Sequence, residues 1–247
     1  MIDVFEPDVQ IDVRIYKELA EKAILDIVNR GKIPFVVGGT GMYFNALYYG
    51  LSDAPSRNEE IRKSLEEKAE KYGLDFLYDE LTKVDKETAS KVAKNDKRRI
   101  IRALEVYYIS GKPLSEINKT NKKLEADWLI ISLIPDRAKL YEKINMRVEE
   151  MLAKGLVDEV KSIVEKYGEN AYALGSIGYK EVLDYLKGRI SFEEMKELIK
   201  KNTRNYAKRQ YTWFKKFTIG AYSPEEIEII DAKIKNFIRG KKGDICI

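Results

Sequence analysis

From Val13 to Asn29, apolar residues recur at Tyr16, Leu19, Ala20, Ala23, Ile24, Ile27 and Val28, a helical period that stops at Gly31. Directly afterwards comes Ile33-Pro34-Phe35-Val36-Val37, a short apolar run of the kind buried in a parallel sheet. Gly38-Gly39-Thr40-Gly41 follows it, and then a second helical run through Tyr43 and Leu47. Helix, strand, glycine loop and helix in that order constrain the chain to the α/β class. The same order puts backbone N–H groups at the carboxyl end of a strand, where such folds bind ligands.

Beyond Ser52 the pattern changes. Residues 57 to 118 read as several short, heavily charged helices with no convincing strand. Trp128-Leu129-Ile130-Ile131-Ser132-Leu133-Ile134 then returns to a buried strand, closed by Pro135. Long helices follow near 136–153, 155–167, 176–187 and 192–216. The expected architecture is an α/β core from 1–52 and 127–247, with a helical insertion at 53–126.

Composition narrows the chemistry. The 247 residues contain no histidine and a single cysteine, Cys246, so common zinc sites, Ser-His and Cys-His dyads and an intrachain disulfide are all excluded. The 45 basic and 41 acidic side chains nearly cancel, so a nucleic-acid surface requires local clustering. No apolar run is long enough to cross a bilayer, and a cytoplasmic protein is expected.

Two clusters stand out. Thr203 to Phe217 interleaves five cations with five aromatics and contains no acid. At 100° per residue Arg204, Lys208, Tyr211 and Lys215 share one stripe, while Tyr206, Trp213 and Phe217 gather opposite, as an anchoring face. The stripe suits either a polyanion or a solvated helix surface. Lys91 to Arg102 packs six cations around Asp96. Asn95 or Asp96 can cap the following helix, whereas Lys97, Arg98 and Arg99 in its first turn oppose the helix dipole. Cations kept there point to an anionic partner such as a phosphate.

Three further features are ambiguous from the residues alone. Gly38-Gly39-Thr40-Gly41 has no following Lys-Ser/Thr pair and no third dinucleotide-type glycine, so it suits a tight turn as well as a ligand loop. Arg147 lies at the edge of the stripe Leu140, Ile144, Val148 and Met151, placed either to snorkel or to enter a cleft. Leu174-Gly175-Ser176-Ile177-Gly178-Tyr179 fits a close backbone approach or an ordinary helix–helix turn.

Four segments in order resemble the bacterial tRNA dimethylallyltransferases. They are Ile33 to Gly41; Asn95-Asp96 with Arg99-Ile100-Ile101-Arg102-Ala103-Leu104-Glu105-Val106; Ile177-Gly178-Tyr179-Lys180-Glu181; and Thr203-Arg204 with Tyr206-Ala207-Lys208-Arg209-Gln210 and Thr212-Trp213-Phe214. The resemblance covers essentially the whole chain. It implies a P-loop-kinase-like core whose helical insertion grips a tRNA anticodon stem-loop carrying adenines 36 and 37. A dimethylallyl group would pass from dimethylallyl diphosphate to N6 of adenine 37, flipped from its loop, with Mg²⁺ assisting. The enzyme is expected to act as a monomer, away from membranes. By position the resemblance places Thr40 and Arg62 against the tRNA. It does the same for Arg98, Arg99, Ile100, Ile101 and Arg102. Leu174, Gly175, Ser176, Ile177, Gly178 and Tyr179 form a third contact. Lys208, Arg209, Gln210, Tyr211, Thr212, Trp213, Phe214 and Lys215 form a fourth. Arg147 would face the donor diphosphate and stabilise charge on the leaving group.

Two departures qualify the match. Ala93-Lys94 stands where the family usually has His-Pro. Neither the family's Gly-x-x-x-x-Gly-Lys-Thr loop nor its Asp-Ser-x-Gln segment, source of the general base, occurs in these residues. The expectation is therefore a chain lacking the N-terminal segment and inactive on its own. The competing readings are a non-catalytic tRNA-binding module and an enzyme prenylating free adenylate. Competition by a hairpin or by free AMP separates the enzyme readings, and failure to bind dimethylallyl diphosphate marks the module.

Overall fold

The computed structural model describes residues 1–120, 123–215 and 220–240. In chain order its elements are α1 (Val13–Asn29), α2 (Gly41–Tyr48), α3 (Glu59–Tyr72), α4 (Leu74–Val84), α5 (Lys86–Lys91), α6 (Lys97–Ser110) and α7 (Leu114–Ile117). There follow β1 (Ser132–Leu133), α8 (Arg137–Ala153), α9 (Leu156–Tyr167), α10 (Tyr179–Leu186), α11 (Phe192–Phe214), β2 (Ala221–Tyr222) and α12 (Ile227–Gly240). Short 3-10 turns occupy Asn118–Thr120 and Tyr172–Gly175. The chain divides into two compact units, one of Met1–Tyr43 with Glu125–Ile247 and one of Phe44–Leu124.

The Phe44–Leu124 unit is helical, as its charge-rich pattern leads one to expect. Apolar side chains from α3, α4, α5 and α6 meet in a core of Leu65, Leu77, Leu81, Ala89, Ile100, Ile101, Ala103 and Leu104. Each fully buried leucine contributes roughly 1.5–3 kcal/mol of transfer free energy. Asp96 caps α6 by accepting from the Arg99 N–H at 3.1 Å, and its carboxylate also lies 3.4 Å from the Arg99 guanidinium. Asp96→Ala is expected to cost about 1 kcal/mol in chemical denaturation, nearly all from the cap because the ion pair is exposed.

In the other unit, α8, α9, α10 and α11 close around Val148, Leu156, Val160, Ile163, Leu174, Val182, Met195 and Ile199. Four of the predicted long helices are therefore present, with the third beginning at Tyr179 and not near Ser176. The N-terminal segment before α1 is irregular, and the Pro7 carbonyl accepts from the Ala173 N–H at 2.8 Å.

The sheet departs from expectation. Ile33–Val37 belongs to no ladder among the described residues, and its side chains face water, Phe35 at 65% and Val37 at 90% exposure. An apolar run becomes a strand only where a neighbour supplies its hydrogen bonds, and none is placed beside this one. Of the run Trp128 to Ile134, only Ser132 and Leu133 are in strand, paired in parallel with Ala221 and Tyr222. The Ser132 N–H donates to the Gly220 carbonyl and the Ile134 N–H to the Tyr222 carbonyl, both at 2.8 Å. Gly220 has φ +85°, and a Cβ there would stand 2.6 Å from the Ile130 carbonyl oxygen. Only glycine makes that approach without strain. The observed class is thus mostly helical with one small parallel sheet.

Candidate nucleic-acid interface

The basic-aromatic segment forms the C-terminal half of α11. Ser191 caps this helix and exchanges a capping box with Glu194, and acidic Glu193 and Glu194 suit its first turn. Met195 and Ile199 bury its first half. The same face continues through Thr203, Ala207, Gln210 and Phe214, which are half-buried, with Trp213 beside them. Tyr206, expected as an anchor, is exposed and lies under the Arg209 guanidinium at 5.5 Å. Of the expected anchoring face, Trp213 is half-buried and Tyr206 is not. Phe217 falls outside the described residues.

What remains outward is chemically uniform. Lys208, Arg209, Tyr211, Thr212 and Lys215 are exposed. Arg204 is drawn partly inward by a 2.6 Å hydrogen bond from its Nη1 to the Asn145 Oδ1 on α8. Two residues along from that contact, Arg147 is exposed on α8 between buried Ile144 and Val148, with no hydrogen bond or ion pair among the described residues.

Gln210 and Trp213 bring the glycine loop to this helix. The Gln210 Nε2 donates to the Gly39 carbonyl at 2.8 Å. A Cβ on Gly39 would stand 2.3 Å from that same Nε2, and a Cβ on Gly41 would stand 2.3 Å from the Trp213 ring. Gly38, by contrast, faces open space. Two of the glycines therefore permit close approach of α11. Thr40 is exposed between them, and its carbonyl accepts from the Tyr43 N–H at 3.0 Å. Tyr43 stacks on Tyr16 with ring centroids 3.9 Å apart, and burial raises both phenol pKa values above the ordinary value. No hydrogen bond or ion pair among the described residues ties Arg147 to this loop.

The 174–179 segment is held by a carboxylate that periodicity gave no reason to notice. Glu181 is buried, accepts from the Gly178 N–H at 2.7 Å through one oxygen and from Asn202 Nδ2 of α11 at 2.7 Å through the other. Gly178 needs its glycine, with φ +99°. Leu174 is in the core at 3% exposure, so its side chain is structural, while Gly175 and Ser176 are exposed and Ile177 is half-buried. Tyr179 donates to Glu159; burial first, then that carboxylate, push its phenol up to about 12.

In the Phe44–Leu124 unit, Lys97, Arg98 and Arg99 are exposed at the start of α6. Ile100 and Ile101 are not available as contacts: at 0% and 2% exposure they pack into the α3–α6 core, as their place on its apolar face demands. Arg62 and Arg102 are neither loose nor separate. Both bond Glu105, which is 0% exposed: Arg62 through Nε at 3.0 Å and Nη2 at 3.1 Å, Arg102 through Nη1 at 2.7 Å. Burial alone would raise the Glu105 pKa, but these two cations and the Asn58 N–H, at 2.7 Å, outweigh it and hold the carboxyl below its ordinary value.

The described residues contain no group of three or more Asp, Glu, His or Cys side chains able to hold a metal ion. No helix among them is long and apolar enough to cross a membrane.

The chain as a whole is similar to known proteins. A tRNA dimethylallyltransferase of Caldanaerobacter subterraneus subsp. tengcongensis is 47% identical over 225 residues, 88% of this chain and 71% of that protein. The crystal structure of the full-length tRNA isopentenylpyrophosphate transferase from Bacillus halodurans superposes with TM-score 0.62 at 36% identity, covering 97% of this chain and 77% of that one. A eukaryotic dimethylallyltransferase captured acting on tRNA gives TM-score 0.68 at 33% identity, over 83% of this chain and 53% of the other. The family model described as IPP transferase matches residues 1–217, and with these relatives it establishes that the chain belongs to the IPP transferase family.

Proposed function

We propose that this chain serves the transfer of a dimethylallyl group from dimethylallyl diphosphate to N6 of adenine 37 in tRNA. Its architecture is then the tRNA-reading part of a P-loop-kinase-like core with a helical insertion. The observation that carries the reading is the outward face of α11, where Lys208, Arg209, Tyr211 and Lys215 stand on the helix whose Gln210 holds the glycine loop. Cations there neutralise phosphates, and exposed aromatics offer stacking platforms for unpaired bases. Flipping a base costs a few kcal/mol of unstacking, which such contacts offset. Arg147, a solvent-facing cation with no hydrogen bond or ion pair among the described residues, suits a diphosphate whose charge grows as the allylic C–O bond breaks. In that step the adenine N6 attacks the allylic carbon, diphosphate departs with the bonding pair, and N6 gives up a proton.

The test is binding of an anticodon stem-loop with adenines 36 and 37, against the same hairpin changed at 37, over a salt series. Affinity that depends on adenine 37 and falls with a log–log salt slope of about −0.7 per neutralised phosphate is expected. Equal binding of both hairpins, or none by the folded chain, rejects the assignment.

A further inference from the structure

Arg62 and Arg102 come from helices 40 positions apart in the chain, yet both end on the same oxygen, Oε2 of Glu105. The Arg102 Nη2 is also fixed, donating to the Pro55 carbonyl at 2.7 Å. Asn58, whose N–H bonds Glu105, is the cap of α3 and accepts from the Ile61 N–H at 3.0 Å. One buried carboxylate therefore sets the start of α3, the flank of α6 and the direction of two guanidiniums.

The charges do not cancel. Two guanidiniums on one carboxylate leave the node with a single net positive charge. The Arg62 and Arg102 side chains retain 16% and 31% exposure, while the Glu105 side chain has none. Among the described residues Arg62 Nη1 and Arg102 Nε make no hydrogen bond. Because both bond a shared oxygen, the two guanidiniums lie side by side. An arginine held in this way has lost its rotamer freedom before any ligand arrives, which favours binding over a flexible lysine of equal charge.

We propose that Glu105 is a positioning residue for RNA: it orients Arg62 and Arg102 so that their free edges grip a single backbone phosphate. The inference rests on the tRNA reading above. Coulomb's law and positioning make opposite predictions here, which gives the test its power. Removing an anion beside a polyanion should tighten binding if Glu105 acts only through its charge. Losing the orientation should weaken it.

The experiment is fluorescence anisotropy of the labelled anticodon stem-loop with the full chain and with Glu105→Gln, their folding compared by circular dichroism. About tenfold weaker binding by Glu105→Gln is expected, with the salt slope shallower by about one phosphate contact. Unchanged or tighter binding overturns the proposal while leaving the tRNA reading intact. Absence of hairpin binding by the parent chain rejects that reading and this inference with it. Should Glu105→Gln fail to fold, Arg62→Lys decides: it keeps the charge but cannot make the two-pronged bond, so several-fold weaker binding supports the proposal and unchanged binding overturns it.

Discussion

Glu105→Ala is expected to destabilise the Phe44–Leu124 unit by about 3–5 kcal/mol in urea unfolding at pH 7. The carboxylate is fully buried and satisfies three partners, Arg62, Arg102 and the Asn58 N–H. Its removal leaves two cations facing one another across a void and orphans a backbone donor at the cap of α3. Partial exposure lets both arginines turn toward water, which places the loss near the lower end of that range. Glu105→Gln keeps an acceptor oxygen and the side-chain volume, so its loss should be clearly smaller. The pH dependence has a definite sign. Glu105 and Asp85 both have pKa values below the ordinary 4.5 and 3.8. For Asp85, burial raises the value, and bonds from Thr88 and Ser115 more than reverse it. Groups of this kind contribute stability that is complete above their unfolded-state values and disappears as pH falls through the lowered folded values. The gap between parent chain and Glu105→Ala should therefore be constant from pH 7 to about 5 and close in stronger acid. A gap that widens on acidification would falsify this account.

Gly41→Ala should lower stability by about 1–3 kcal/mol, the usual range for forcing a methyl into packed space. Helix propensity argues the other way, since alanine is favoured over glycine by up to roughly 1 kcal/mol inside a helix. Geometry decides against propensity. The new Cβ would lie 2.3 Å from the Trp213 ring, and an indole cannot give way as the tip of a glutamine can. Gly38→Ala, which meets nothing within 4 Å, is the matched control and should stay within about 0.5 kcal/mol of the parent. Thermal unfolding followed by tryptophan fluorescence reads both. In a Trp213→Ala background the penalty should vanish and the propensity gain emerge. If Gly41→Ala melts like the parent with Trp213 in place, the ring does not press on the loop.

The two glycine effects illustrate how much of the site was legible. Gly38-Gly39-Thr40-Gly41 announces a tight loop, but the sequence does not say that Gly39 and Gly41 make room for Gln210 and Trp213, some 170 positions later. The cation-rich half of α11 was evident from composition, and its helical form from the spacing of Met195, Ile199 and Thr203. The helical angle put Tyr206 on the anchoring face, but it is exposed, while its neighbours Thr203 and Ala207 are half-buried. Glu105 and Glu181 lie in segments that carry the family resemblance, but their spacing did not mark them as buried. A carboxylate on a charged helix reads as solvated until its partners, from other helices, are known.

The sequence by itself determined the long helices α8, α9, α10 and α11, a cap for α6 at Asn95 or Asp96, and the chemistry of the basic segments, but not α12. These depend on side chains within about one turn of one another, through the 3.6-residue period and local hydrogen bonds. Only the tertiary structure decided that Ile33–Val37 has no strand partner among the described residues, that Ser132–Leu133 finds Ala221–Tyr222, and that Arg62 and Arg102 converge on one carboxylate. A strand's hydrogen bonds and a buried charge's counter-ions are supplied by residues remote in the chain, and no local pattern encodes a remote partner.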